Sequence, residues 1–352
     1  MAFEGFPLIV GWELTLSCNL RCGHCASSAG LPRASEFTLD EALDICDQFP
    51  PLLVREVDFT GGEPLLRSDW TKIAGRLNAL HVPVRLVTNG LLLKQNVPLL
   101  KETGIATVGV SLDGLEATHD NIRRRPGLFR QVIEGIEAAL AAGVPVAVIT
   151  AANELNVGEL PGLLAFLQDL GVHHWQVQPT FSLGRAKEGG VPGLSESCFL
   201  RLGAFVHSNA GLCQASGFRM MPADGVGYYT DLDTRARAWT GCSAGRASCG
   251  VTSDGKVKGC LSHPDHLVEG DLRKRDLWSI WFDDDSFAYN RRFTPGDLGE
   301  NCAGCELGEQ CMGGCGVMSY AATGQFHNDP YCFHSILARH SAQLSRPSDR
   351  DI

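Results

Sequence analysis

The stretch Cys18-Asn19-Leu20-Arg21-Cys22-Gly23-His24-Cys25 decides how the rest of this chain is read. Its C-x3-C-x2-C spacing puts three thiolates on one tight loop and supplies no fourth. A closed structural zinc site takes four ligands, and an ordinary four-iron cluster takes four cysteines. A cluster held by three would leave one iron open to a group that is not protein. Read alone, three cysteines in a loop could also cluster by chance, so the neighbouring motifs must decide.

Working outward, Leu8 to Gln178 alternates strand-like runs with helical segments, the pattern of repeated βα units on a parallel sheet. Strands are predicted at Trp12–Ser17, Val54–Thr60, Val84–Thr88, Thr107–Leu112, Val144–Thr150 and His173–Pro179. Helices fall near Asp69–Leu80, Val97–Thr103, Phe129–Ala142 and Val157–Leu170, and Thr38-Leu39-Asp40-Glu41 is a capping box that opens another. Six such units are too few to close an eight-fold barrel. The α/β fold class is therefore an open, partial (β/α)6 barrel over residues 8–180, followed by a small cysteine-rich domain. In parallel barrels chemistry gathers at the C-terminal ends of strands, and the cysteine triplet follows the first strand directly.

The second strand runs into Thr60-Gly61-Gly62-Glu63-Pro64. Two glycines let main chain approach a ligand closely, and Glu63 offers an anionic acceptor to a cation. Taken alone, this is an ordinary strand-ending turn. Together with the triplet it resembles the radical S-adenosylmethionine (SAM) superfamily, whose open iron chelates the amino and carboxylate groups of SAM. The resemblance covers roughly Trp12 to Gln178. It implies that Gly61, Gly62 and Glu63 hold the methionine ammonium. It also implies that Ser111 and Arg123 reach the SAM carboxylate, where a planar guanidinium fork suits the task. Thr88 or Asn89 would face the ribose, with Gln178, Asn153 and Asn156 as weaker candidates, since polar strand ends are common for capping reasons alone. Ser111 is not a hydrolase nucleophile, because Asp113 stands where that elbow needs glycine.

Residues 181–240 read as a linker carrying substrate-contacting loops and a helix near Ser195–Ser208. From Gly241 onward, turns, glycines and cysteines dominate, so metal rather than an apolar core is expected to supply stability. The spacing is Cys242-x6-Cys249-x10-Cys260, then Cys302-x2-Cys305-x5-Cys311-x3-Cys315, then Cys332. It resembles the SPASM domain, a C-terminal extension of radical SAM enzymes, and residues 241–335 are assigned to it. By that resemblance Cys242, Cys249, Cys260 and Cys315 ligate one auxiliary four-iron cluster, and Cys302, Cys305, Cys311 and Cys332 a second. The competing reading is a pair of structural zinc sites. Sulfatase-maturing members carry aspartate directly after the cysteine equivalent to Cys260. Leu261 and Ser262 follow it here, which argues against formylglycine formation. Asp224, Tyr228, Tyr229, Asp231 and Asp233 could supply acid–base groups, although solvated loop residues are the plainer reading. His263 and His266 read as surface turn residues, and residues 336–352 as a C-terminal helix and polar tail.

Composition closes off other classes. Fourteen cysteines with no basic, apolar export signal at the N-terminus suit a reducing cytoplasm and metal rather than a disulfide framework. The net charge of −10 argues against a nucleic-acid partner. No run approaches the roughly 18 apolar residues of a membrane span.

The resemblance implies reductive cleavage of SAM to a 5′-deoxyadenosyl radical, which takes hydrogen from an unactivated carbon. Three four-iron clusters and SAM are the expected cofactors. The favoured substrate is a ribosomally made peptide that receives a crosslink. With 17 residues before Cys18, a separate protein is expected to recruit the leader, and flavodoxin or ferredoxin to supply electrons. Dehydrogenation, rearrangement or epimerisation of a small molecule or a peptide Cα stays open as the rival.

Overall fold

The computed structural model describes residues 5–180, 182–223, 225–226 and 240–344. Seven parallel strands run in sequence order across one sheet: β1 (Ile9–Thr15), β2 (Glu56–Gly61), β3 (Val84–Thr88), β4 (Thr107–Ser111), β5 (Val146–Ala152), β6 (His174–Pro179) and β7 (Arg219–Pro222). The first six are the predicted strands, with ends shifted by a few residues. Between them lie α1 (Leu39–Asp47), α2 (Trp70–Ala79), α3 (Leu93–Thr103), α4 (Glu116–Arg123), α5 (Leu128–Ala141), α6 (Leu160–Asp169) and α7 (Glu196–Ala215).

Local chemistry explains these elements. The predicted box opens α1: Thr38 Oγ1 accepts from Glu41 N at 3.3 Å, and the Glu41 carboxylate accepts from Thr38 N at 2.8 Å. α5 turns Leu128, Phe129, Val132, Ile136 and Ala139 inward at helical spacing. In β1, Trp12 pairs in register with Phe59 of β2 and packs edge-on against Phe49 and Phe59 at 5.8 and 5.9 Å between centroids. Removing apolar area of that size from water is the main force holding such strands together.

The cysteine-rich half is built onto the barrel. β8 (Ser248–Val251) pairs in parallel with β1, setting Cys249 opposite Val10. β9 (Lys256–Lys258) and β10 (Gly270–Asp271) continue antiparallel, so ten strands form one sheet in the order β10-β9-β8-β1 through β7. Short helices α8 (Leu277–Trp281), α9 (Ala288–Arg291), α10 (Gly308–Cys311) and α11 (Gly316–Thr323) follow. Val251, Val257, Leu277, Ile280, Trp281 and Phe287 are fully buried, so this half does possess an apolar core, against the sequence expectation. Its strands of two to four residues are too short to show a period. The final helix, α12 (Phe333–Leu344), returns to α7, where Phe333 stacks on Phe199 at 4.5 Å. Among the described residues, no helix is long and apolar enough to cross a membrane.

Candidate active site

The C-terminal ends of the parallel strands surround a cavity of about 500 Å³. Cys18, Cys22 and Cys25 line it together, delivered by the loop that leaves β1. Backbone bonds fix that loop: Cys18 N to Gly30 O at 3.2 Å, and Gly23 N to Ile122 O at 2.9 Å. Donors point at the sulfurs, from Leu20 N and Asn89 Nδ2 to Cys18 Sγ at 3.4 and 3.8 Å, and from Arg123 Nη1 to Cys22 Sγ at 3.9 Å. Burial pushes the Cys18 and Cys22 thiols above their ordinary range. Thiolates there call for positive charge, which is what a bound iron cluster provides.

Most of the predicted SAM contacts share this wall. Gly61, Gly62, Thr88, Asn89, Ser111, Arg123 and Gln178 all line the cavity. Gly61 has φ +135°, and a Cβ on Gly61 or Gly62 would run into the carbonyls of Thr15 and Ser17. The glycines therefore let the β2 terminus lie directly against the cysteine loop. Glu63 is the exception. It is fully buried and does not border the cavity. Its carboxylate accepts from Thr88 Oγ1 and Asn89 N at 2.8 Å each, and from Leu65 N at 3.2 Å. Three of about four lone-pair sites are thus committed. Burial, partly offset by those donors, raises its pKa to about 7.

A buried charge knot was not read from the sequence. Asp113 is fully buried and accepts from Arg123 Nε at 2.7 Å and Ala151 N at 3.0 Å, with His24 Nε2 at 3.3 Å. Burial works against its charged form, but Arg123, His24 and His119 outweigh it and hold the carboxyl at about 2. Burial keeps His24 neutral, with a pKa of about 4. Arg123 therefore stands between Asp113 and Cys22 and is half committed before any ligand arrives. His24 sits inside the triplet, which was its only sequence signal; its meeting with Asp113 is long-range. Asn153 and Asn156 are fully buried and tie up backbone near Asp113 and Ala151, so neither borders the cavity.

Both cysteine quartets are drawn together. Cys302, Cys305, Cys311 and Cys332 line one small cavity of their own. Cys249 and Cys260 line the large cavity, facing it with Leu261 and Ser262. Cys242 Sγ approaches the backbone at Gly316, next to Cys315, and Cys242 and Cys260 both act on Tyr289. Among the described residues, no group of His, Cys, Asp or Glu is set to hold a single metal ion. An all-thiolate set spread around a cavity suits a cluster larger than one ion. One expectation is corrected: His263 is not a surface residue but is 2% exposed, packed against Tyr289 and Phe326. His266 is exposed and meets Tyr320 Oη at 2.8 Å. Asp224, Tyr228, Tyr229, Asp231 and Asp233 lie outside the described residues.

Comparison with known proteins decides the family. Residues 12–167 match the radical SAM superfamily, and residues 242–306 match SPASM, an iron–sulfur cluster-binding domain. An AdoMet-dependent heme synthase of Methanosarcina barkeri is 30% identical, over 95% of this chain and 98% of that protein. This chain belongs to the radical SAM superfamily. It is also 28% identical to the mycofactocin maturase MftC of Mycobacterium ulcerans, over 88% of this radical SAM chain and 83% of that one. Streptococcus suis SuiB, solved bound to its precursor peptide SuiA, shares the fold with a TM-score of 0.75 at 18% identity, over 94% of this chain and 76% of SuiB.

Proposed function

We propose that this radical SAM/SPASM enzyme carries out a net oxidation on a tetrapyrrole held between the Cys18–Cys22–Cys25 loop and the wall formed by Cys249 and Cys260. The observation that carries this is the single cavity bordered by both cysteine sets. Residues 8–180 would generate the radical and residues 241–335 would hold two auxiliary clusters, on Cys242, Cys249, Cys260 and Cys315 and on Cys302, Cys305, Cys311 and Cys332. Held by Cys18, Cys22 and Cys25, a cluster together with SAM would supply radical hydrogen abstraction from carbon. The protein's own groups position SAM. Gly61 and Gly62 would offer backbone to the ammonium, with Glu63 behind them holding Thr88 and Asn89 in place, Ser111 and Arg123 would take the carboxylate, and Thr88, Asn89 and Gln178 would border the nucleoside. A cluster held in part by Cys249 and Cys260 would border the same cavity and would supply a one-electron acceptor there. The tetrapyrrole assignment draws on relatives that are named heme synthases and match this chain over 98% and 88% of their own length.

The second reading is a peptide maturase installing a crosslink, with a separate leader-binding protein. It is supported by the maturases MftC and SkfB among the relatives. In either case flavodoxin or ferredoxin would deliver the first electron.

The test is anaerobic reconstitution with iron, followed by SAM and reductant in the presence of an iron tetrapyrrole less oxidised than heme or a candidate precursor peptide. About twelve iron per chain, 5′-deoxyadenosine and a tetrapyrrole of lower mass are expected. Tetrapyrrole left intact while a peptide is modified selects the second reading. Replacing Cys18, Cys22 and Cys25 together by Ala should abolish SAM cleavage and leave about eight iron; stoichiometric zinc instead of iron overturns both readings.

A further inference from the structure

Beside the first quartet, the polar atoms of two side chains are buried without any hydrogen-bond partner. Tyr289 Oη and both ring nitrogens of His263 are buried and unpaired. Leaving buried polar groups unpaired is destabilising, so a fold that keeps two of them side by side has a reason. Phe326 fixes both rings, stacking on Tyr289 at 4.1 Å and meeting His263 edge-on at 5.3 Å. Their polar ends lie next to the ligand backbone. A Cβ at Gly259, the residue before Cys260, would run into Tyr289 Oη. A Cβ at Gly316, the residue after Cys315, would lie 3.5 Å from His263 Nε2 and 3.6 Å from Cys242 Sγ. Three of the four ligands of one quartet therefore sit beside the two orphaned groups.

We propose that Tyr289 Oη–H and a ring N–H of His263 donate hydrogen bonds to sulfur atoms of the cluster on Cys242, Cys249, Cys260 and Cys315, raising its reduction potential above that of the second auxiliary cluster. This rests on the reading that the first quartet holds a cluster. Donation to sulfur favours the more negative, reduced state, which moves the potential upward. The second quartet has the opposite neighbour. Asp329 is 1% exposed, lines the cavity shared by Cys302, Cys305, Cys311 and Cys332, and accepts from the Cys302 thiol through its backbone carbonyl at 3.9 Å. Added negative charge lowers a cluster potential. The cluster bordering the substrate cavity thereby becomes the acceptor of the two.

The experiment is a redox titration of the reconstituted full chain followed by electron paramagnetic resonance. The first auxiliary signal is identified as the one missing from Cys242→Ala. Tyr289→Phe and His263→Leu should each keep the wild-type iron content and move that signal to lower potential, further in the double variant. His263→Gln, which keeps a donor, should restore part of the shift, and exchangeable deuteron couplings to the signal should vanish in the double variant. Unchanged potential in the fully loaded double variant overturns the inference and leaves the cluster assignment standing. Wild-type iron of about eight, unaffected by Cys242→Ala, overturns the assignment and the inference together.

Discussion

At the scale of single residues, Glu63 and Arg123 show how far a motif can be trusted. Both were read as direct clamps on SAM, yet each is already part of a buried network. Glu63 joins the ends of β2 and β3 through Thr88 and Asn89. Glu63→Gln is expected to weaken SAM binding about tenfold by loosening Thr88 and Asn89 on the cavity wall, with iron content unchanged. Since burial holds its pKa near 7, the carboxylate becomes charged as pH rises through neutrality. SAM affinity should therefore tighten between about pH 6 and 8 in wild type and stay flat in the glutamine variant. Equilibrium binding across that range checks both outcomes. Arg123→Ala has a different expected consequence. It strands the Asp113 carboxylate in the core, where an uncompensated charge costs about 3–5 kcal/mol. Denaturant melts of the loaded protein should show that loss, with partial recovery when Asp113→Asn is added. An unchanged melt would mean that Asp113 finds another partner.

At the scale of elements, what could be read in advance tracks segment length. The βα alternation revealed β1 to β6 because each strand and its helix span enough residues to display a period. β7, with four residues, lay hidden in a segment read as a linker. α4 buries only His119, Ile122 and Arg123, so it carries no apolar stripe to read. β8 was hidden for a different reason: its partner β1 lies more than two hundred residues earlier in the chain. The cysteine spacings were legible because ligand number and order are written in the sequence itself, whereas the Asp113 knot and the Tyr289–His263 pair exist only through tertiary approach. The α7–α12 contact is of the same kind and gives its own prediction. Phe333 lies so close to Gly203 that a Cβ there would strike the ring. Gly203→Ala should cost about 1–3 kcal/mol by overpacking and loosen α12 rather than the barrel. Hydrogen exchange should report faster exchange confined to α7 and α12; global loosening would show that this contact supports more than its own helices.

At the scale of the whole molecule, one sheet carries both the triplet and the first quartet, so radical generation and electron removal open onto one cavity. That arrangement bears on the thiols left outside the clusters. An epimerase must return a hydrogen atom to the substrate radical, and a cysteine S–H is a suitable donor. Cys198 and Cys213, outside the triplet and both quartets, follow the six-strand barrel in the chain, but neither borders the cavity. The Cys198 thiol donates to the Glu154 carboxylate at 2.9 Å, and Cys213 is 2% exposed. Cys46 is buried in the core, where desolvation pushes its thiol up to about 12. All three behave as small packing residues, the commoner fate of a free cysteine. Cys198→Ala and Cys213→Ala should therefore consume SAM and give the wild-type product, with no deuterium from solvent in that product. Mass spectrometry of reactions run in heavy water reads this directly. Loss of product in either variant, together with deuterium at a substrate carbon in wild type, would mean that hydrogen is returned rather than an electron removed, and the reaction would be redox-neutral.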